Sequence, residues 1–111
     1  MSRDTDGWIG VDLDGTLASN VKHGDAIGEP IPAMVDRVKL WLSEGQDVRL
    51  FTARAYEMEA RQLHALNAWM REHLGEELPI TCEKDPDLRE IWDDRAIQII
   101  TNTGQRADGE A

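Results

Sequence analysis

Two pairs of carboxylates in this sequence each follow a short apolar segment. Asp12 and Asp14 close the first such segment of the chain, and Asp93 and Asp94 close the fourth. Carboxylates brought together repel one another, which raises their pKa values unless a cation lies among them. Oxygen ligands suit Mg²⁺, which uses one or two protein carboxylates together with water and substrate phosphate. The two pairs therefore predict a Mg²⁺ site, provided that the fold brings the first and fourth segments together.

A hydroxyl and two cations occupy the corresponding places after the second and third apolar segments. Thr52 and Arg54 follow the second segment, and Lys84 follows the third. A hydroxyl, cations and a metal ion around one point are the groups that stabilise a phosphoryl group during transfer. Asp12 can act as a nucleophile that forms an aspartyl-phosphate, and Asp14, two residues on, points to the same side and can move protons. These residue types therefore predict phosphoryl transfer.

The elements that must position these residues alternate between strands and helices. Apolar runs predict strands over 8–13, 48–52, 78–82, 89–92 and 96–101. Apolar stripes predict a helix that begins at Ala33 and is capped by Gly45, and a second helix over 55–74 that ends at Gly75. This alternation is typical of an open α/β sheet with right-handed crossovers, in which chemistry gathers at the carboxyl ends of parallel strands. We expect about five mainly parallel strands with flanking helices.

The four polar clusters also match four motifs of a known family, in that family's order. The stretch DLDGT at positions 12–16 matches the DxDGT motif of haloacid dehalogenase-like (HAD) hydrolases, and Thr52 matches the Ser or Thr of their second motif. Lys84 resembles the lysine of the third motif, and Asp93 with Asp94 matches the acidic pair of the fourth. The sequence therefore resembles a HAD hydrolase over residues 8–101, and the resemblance implies a minimal HAD-like Rossmannoid fold.

The resemblance implies a role for each carboxylate. Asp12 would be the nucleophile and a Mg²⁺ ligand. Asp14 would be the general acid and base, with its backbone carbonyl on the metal. Asp93 and Asp94 would complete the metal site directly or through water, with Asp94 favoured as the direct ligand. The implied function is a Mg²⁺-dependent phosphatase that hydrolyses phosphomonoesters through an aspartyl-phosphate on Asp12.

The remaining polar residues would hold the phosphate. The resemblance implies that Thr52 donates a hydrogen bond to a phosphoryl oxygen and that Lys84 neutralises its charge. Arg54 stands two residues after the second motif, as in members that resemble polynucleotide phosphatases, and is a candidate phosphate ligand. The alternative within the enzyme class is therefore a nucleotide or polynucleotide-end phosphatase.

The chain is short for this family. Residues 8–101 form the predicted catalytic domain, between a flexible N-terminus over 1–7 and a loose tail over 102–111. The intervals between the motifs leave no room for a cap domain, and 83–88 are too few to hold the usual helix between the third and fourth strands. Small capless proteins of this kind resemble uncharacterised bacterial and phage hydrolases. The site would be open, which suits a bulky substrate or a cover supplied by a second copy of the chain.

The composition of the chain excludes several classes of binding partner. The 111 residues carry 12 Lys plus Arg against 22 Asp plus Glu, a formal net charge of −10, which argues against an extended nucleic-acid surface and against anionic membranes. No apolar run approaches the ~20 residues that cross a bilayer. A single cysteine, Cys82, excludes an intramolecular disulfide and favours a reducing compartment. We expect a cytoplasmic protein whose substrate is a phosphorylated small molecule or a nucleotide.

Simpler interpretations stay open for several residues. Thr52, Arg54 and Lys84 also fit ordinary strand-end or surface positions, and both acidic pairs fit turns or helix caps. A non-enzymatic receiver-type domain also gathers acids, Thr and Lys around Mg²⁺, although its acidic pair follows the first strand and its phosphorylated Asp the third. The loop over 17–28 is the best candidate for substrate contact because it leaves the nucleophile's strand directly, and His23 within it is a candidate to lie over the site.

Overall fold

Strands and helices alternate along the chain. The computed structural model describes residues 6–22 and 24–110. Over these residues the elements are strand β1 (Trp8–Val11), helix α1 (Pro32–Ser43), strand β2 (Asp47–Phe51), a 3-10 turn (Ala53–Ala55), helix α2 (Ala60–Leu74), strand β3 (Ile80–Thr81) and strand β4 (Leu88–Trp92). Residues 1–5 of the predicted flexible N-terminus, His23 and the last residue of the predicted tail lie outside the described part.

The four strands of the described residues form one sheet in the order β3-β2-β1-β4, with every neighbouring pair parallel. Val11 at the end of β1 lies between Leu50 of β2 and Trp92 of β4. The residues that follow these three strands therefore emerge side by side at one edge of the sheet. The predicted open, parallel α/β sheet with flanking helices is confirmed, and no cap domain is present among the described residues.

The main core lies between one face of the sheet and the two helices. Ile9 and Val11 of β1 are 1% and 0% exposed, and Val48 and Leu50 of β2 lie on the same face. The helices contribute the apolar stripes expected from the sequence: Met34, Val35 and Val38 from α1, and Leu66, Trp69, Met70 and Leu74 from α2. Central strands buried in this way explain why the sequence shows continuous apolar runs there rather than alternation.

The second helix begins later than expected. The sequence predicts a helix over 55–74, but α2 begins at Ala60. Residues 53–55 instead form the 3-10 turn, because the Thr52 hydroxyl accepts a hydrogen bond from the Arg54 backbone N–H (3.2 Å) and caps that turn. The helix ends as predicted at Gly75, whose φ of +88° is a left-handed value that glycine adopts without strain.

The predicted fifth strand is wrong. Residues 96–101 contain no strand of the sheet, and Ile97, Ile99 and Ile100 are about half exposed. Ile99 instead forms an isolated antiparallel bridge with Arg106. The Ile100 N–H donates to the Gln105 carbonyl (2.8 Å), so this segment pairs with the start of the tail rather than with β4. The expectation that residues 102–111 are loose and separate from the domain stays a prediction.

As the sequence predicted, β3 and β4 are joined by an extended connection rather than by a helix. It crosses the sheet face opposite the helices and covers Trp8, whose indole Nε1 donates to the Asp85 carboxylate (2.8 Å). The Trp8 backbone N–H donates to the Asp87 carbonyl (2.9 Å) where β4 is about to begin. This extended segment therefore makes the crossover connection, without a helix, and brings β4 alongside β1.

Candidate metal and phosphate site

Three carboxylates meet at the carboxyl edge of the sheet. Asp12 follows β1, Asp93 and Asp94 follow β4, and one carboxylate oxygen from each lies within 4.8 Å of the others. The Asp12 backbone N–H extends the strand pairing by donating to the Trp92 carbonyl (2.9 Å), which fixes the two strand ends relative to each other. The sequence predicted this meeting from the order of the motifs, and the structure brings these three residues together.

The spacing of these oxygens fits a hard divalent cation. An octahedral Mg²⁺ site with ligand distances of about 2.1 Å places adjacent oxygens about 3 Å apart and opposite ones about 4.2 Å apart. The oxygens of Asp12, Asp93 and Asp94 all lie within 4.8 Å of one another, which is compatible with that spacing. Three carboxylate oxygens are also the ligand type that Mg²⁺ and Ca²⁺ prefer over softer metals.

The electrostatics of Asp12 reflect this crowding. Burial first, and then the negative charges of Asp93 and Asp94, raise the pKa of Asp12 from its ordinary 3.8 to about 6. The Leu13 backbone hydrogen bond acts in the opposite direction but does not offset them. The ionised Asp12 carboxylate therefore destabilises the folded, metal-free protein, and a cation beside it would offset this destabilisation.

The backbone around the cluster fixes the positions of the Asp93 and Asp94 carboxylates. One oxygen of Asp93 accepts hydrogen bonds from the backbone N–H groups of Arg95 (2.6 Å) and Ala96 (3.2 Å), forming a turn after β4. Asp94 lies against Gly15, where an added Cβ would come within 2.5 Å of the Asp94 Oδ2. Gly15 also has a φ of +88°, so both the space and the backbone conformation require glycine there.

Asp14 lies beside this cluster, but its side chain does not join it. Its carboxylate is bound by the guanidinium of Arg54, with Nε to Oδ2 at 2.8 Å and Nη2 to Oδ1 at 2.7 Å. The hydrogen bonds that Arg54 donates to Asp14 also raise the pKa of Arg54 above its ordinary value. The expected metal ligand at this position is the backbone carbonyl of Asp14, and that role stays a prediction. No local pattern in the sequence indicates the Asp14–Arg54 pair.

Thr52 occupies the predicted place for a phosphate contact. It is 3% exposed at the end of β2, and its backbone N–H donates to the Thr81 carbonyl of β3 (2.9 Å). Its hydroxyl oxygen accepts the hydrogen bond from the Arg54 N–H, and a hydroxyl that accepts in this way still has its proton to donate. Thr52 is therefore fixed in position, with one donor left for a phosphoryl oxygen.

Lys84 and Arg54 lie along different cavities. Lys84 is exposed and lines a groove of about 690 Å³ together with Trp92 and Asp93. Asp14 and Arg54 line a separate pocket of about 520 Å³. Lys84 makes no ion pair within residues 6–22 and 24–110. Its side chain is thus available on the Asp93 side of the cluster, while Arg54 is committed on the Asp14 side.

The pocket beside Asp14 is formed by the loop that the sequence singled out for substrate contact. From that loop, Val21, Lys22, Gly24, Asp25 and Ile27 line the cavity. Its opposite wall comes from the start of α2 and from the segment before it, which includes an exposed tyrosine, Tyr56. The expectation that His23 lies over the site falls outside the described residues.

Comparisons with known proteins add one related structure. No family model and no curated protein matches this chain. A solved structure of a conserved protein coded by a locus from Bacteroides thetaiotaomicron is similar to it, with a TM-score of 0.61 and 28% sequence identity over 82% of this chain and 78% of that one. In the described part of the chain, no helix is both long and apolar enough to span a membrane.

Proposed function

We propose that this protein is a Mg²⁺-dependent phosphomonoesterase of the HAD type. The observation that supports the proposal best is the convergence of Asp12, Asp93 and Asp94 at adjacent strand ends, with burial and mutual repulsion raising the Asp12 pKa to about 6. A folded chain that tolerates this repulsion gains most from a cation at that point. The order of the motifs along the sequence supports the same assignment.

The proposed reaction uses two carboxylates in sequence. An oxygen of Asp12 attacks the phosphorus of the ester while the bond from phosphorus to the leaving oxygen breaks and Asp14 gives that oxygen a proton. Asp14 then takes a proton from a water molecule, which attacks the aspartyl-phosphate and releases inorganic phosphate. Mg²⁺ held by Asp12, Asp94 and Asp93 would supply charge stabilisation for the phosphoryl oxygens. Asp12 would thus combine the roles of nucleophile and ligand.

The phosphate-binding roles follow from position. Thr52 would donate its hydroxyl proton to a phosphoryl oxygen, since that hydroxyl is fixed by the Arg54 N–H and lies beside the strand that carries Asp12. Lys84 would approach the same oxygens from the Asp93 side, supported by its place along the groove that Asp93 lines. A direct phosphate contact from Arg54 has less support, because its guanidinium already binds Asp14.

The setting of the reaction belongs to the same proposal. The substrate would be a phosphorylated small molecule or a nucleotide, because the volume of the cavity beside Asp14, about 520 Å³, is in the range of small-molecule sites. A second copy of the chain would be the partner that covers the open site. We place the protein in the cytoplasm, supported by its single cysteine, which is exposed and unpaired.

Phosphate release from an aryl phosphate tests the proposal. Wild-type protein with Mg²⁺ should release phosphate, whereas Asp12→Asn or added chelator should reduce release by at least 10³-fold, since a nucleophile has no substitute. Asp36→Asn, which removes an exposed carboxylate of α1, is the control for loss of one negative charge. Equal rates for wild type and Asp12→Asn, or indifference to chelator, would refute the proposal.

A further inference from the structure

The Arg54 guanidinium is almost fully occupied by the protein itself. Besides its two bonds to Asp14, Nη1 donates to the Asp25 carbonyl (2.9 Å) and Nη2 donates to the Ala26 carbonyl (2.9 Å). A guanidinium has five N–H donors, so only one remains for a substrate. A residue placed to grip phosphate would keep its paired donors open, because bidentate binding is what distinguishes arginine at such sites.

Arg54 instead joins three parts of the site. Its backbone N–H fixes the Thr52 hydroxyl, its Nε and Nη2 hold the Asp14 carboxylate, and its two terminal nitrogens hold the carbonyls of residues 25 and 26. The Arg54 side chain is 22% exposed; its two bonds to Asp14 are partly buried, whereas its bonds to the carbonyls of residues 25 and 26 are exposed. The contact with residues 25 and 26 involves backbone carbonyls, which makes it independent of their side chains.

A second anchor holds the same segment from α2. The Asp25 carboxylate accepts hydrogen bonds from Gln62 (3.0 Å) and pairs with Arg61 (2.9 Å), and these contacts lower the pKa of Asp25. Gln62 is itself fixed, because its side-chain oxygen accepts the Glu59 backbone N–H (2.8 Å) at the start of the helix. Residues 24–27 are therefore tied on one side to α2 and on the other to the residue that holds Asp14.

We propose that Arg54 is a positioning residue that locks the Asp14 carboxylate in place and holds residues 24–27 as a fixed wall of the pocket beside it. This pairing holds the Asp14 carboxylate apart from the Asp12, Asp93 and Asp94 cluster, although Asp14 follows Asp12 by only two residues. The kinetic part of this inference rests on the proposed phosphatase function, and the structural part does not.

Arg54→Ala and Arg54→Lys test the inference with two readouts. The first is backbone dynamics by NMR: order parameters at residues 25 and 26 should fall from about 0.85 to below about 0.6 in Arg54→Ala. The second is steady-state kinetics: kcat should fall roughly 10- to 100-fold with KM changed less than threefold, since a misplaced proton donor slows the chemical step more than binding. Arg54→Lys keeps the charge but loses the paired donors and should recover little of the kcat.

Arg71→Ala is the matched control, because Arg71 is an exposed α2 arginine paired with Glu77 and distant from the pocket. It should change neither readout. The inference is overturned if Arg54→Ala leaves residues 25 and 26 ordered, or if it raises KM with kcat kept, which is the result expected of a phosphate ligand. If wild-type protein releases no phosphate, the proposed function fails, and the NMR result alone decides whether Arg54 holds the wall.

Discussion

Replacing Asp12 with Asn should stabilise the metal-free protein while abolishing the proposed phosphatase activity. The carboxylate of Asp12 is half-buried and repelled by Asp93 and Asp94, which together raise its pKa from 3.8 to about 6. An amide of the same shape carries no charge, so it removes both the burial cost and the repulsion. Natural active sites commonly hold such destabilising groups, because function rather than stability selects them.

The magnitude follows from the pKa. A raised pKa means that the folded state binds the proton more tightly than the unfolded state. The stabilisation that proton binding at Asp12 gives the wild type therefore falls as pH rises from about 4 to about 6 and is lost at pH 7. A difference of about two pKa units corresponds to ~3 kcal/mol. Because Asp12 is only half-buried, solvent screening reduces this figure, and we expect about 1–2 kcal/mol.

Thermal unfolding in EDTA and in Mg²⁺ measures this effect. In EDTA at pH 7, Asp12→Asn should melt roughly 5–10 °C above wild type, and the gap should close below about pH 4. Mg²⁺ at one hundred times its Kd should stabilise wild type by about 2.7 kcal/mol and the variant by much less, which closes or reverses the difference. Asp36→Asn should show neither change. A variant no more stable than wild type in EDTA, or an equal Mg²⁺ response in both, would contradict this role of Asp12.

Substitutions at three further residues test other parts of the site. Gly15→Ala should lower the free energy of unfolding by about 1–3 kcal/mol and weaken Mg²⁺ binding in calorimetry, because the new Cβ meets Asp94 and the backbone needs a positive φ; full Mg²⁺ affinity would contradict this. Thr52→Val should lower phosphate release roughly 10- to 100-fold by removing the hydroxyl donor, and Thr52→Ser should restore it, as judged by kcat/KM. Lys84→Met should lower kcat/KM to a similar extent. Unchanged kinetics would show that Lys84 is a surface lysine with no role in phosphate binding.

The sequence predicted the sheet and the acidic cluster well because both depend on local patterns. Apolar runs marked the strands, and the parallel order made the ends of the first and fourth strands neighbours, so Asp12, Asp93 and Asp94 meet as expected. The motifs name residues that follow strands, and strand ends are the part of a parallel fold that sequence reasoning locates most directly. Membership of the HAD family stays a prediction carried by those motifs.

The sequence-based predictions were wrong or incomplete where the structure depends on which of several possible partners a residue pairs with. The run over 96–101 alternates like a strand, but periodicity does not say whether it pairs with β4 or with the tail, and Ile99 pairs with Arg106. Likewise the second helix starts late because Thr52 caps a competing turn over 53–55, and Glu59 with Gln62 forms a capping box where α2 begins. Arg54 lies 40 positions from Asp14, and no local pattern indicates an ion pair over that distance.

Trapping of a covalent phosphoryl group on Asp12 tests whether the reaction passes through an aspartyl-phosphate. Wild-type protein is mixed with Mg²⁺ and a radiolabelled aryl phosphate, quenched in acid during turnover, and analysed for protein-bound label. We expect label on the peptide that contains Asp12, released by hydroxylamine as expected of an acyl phosphate, and none on Asp12→Asn. Phosphate release without any labelled peptide, or label that persists in the Asn variant, would contradict it.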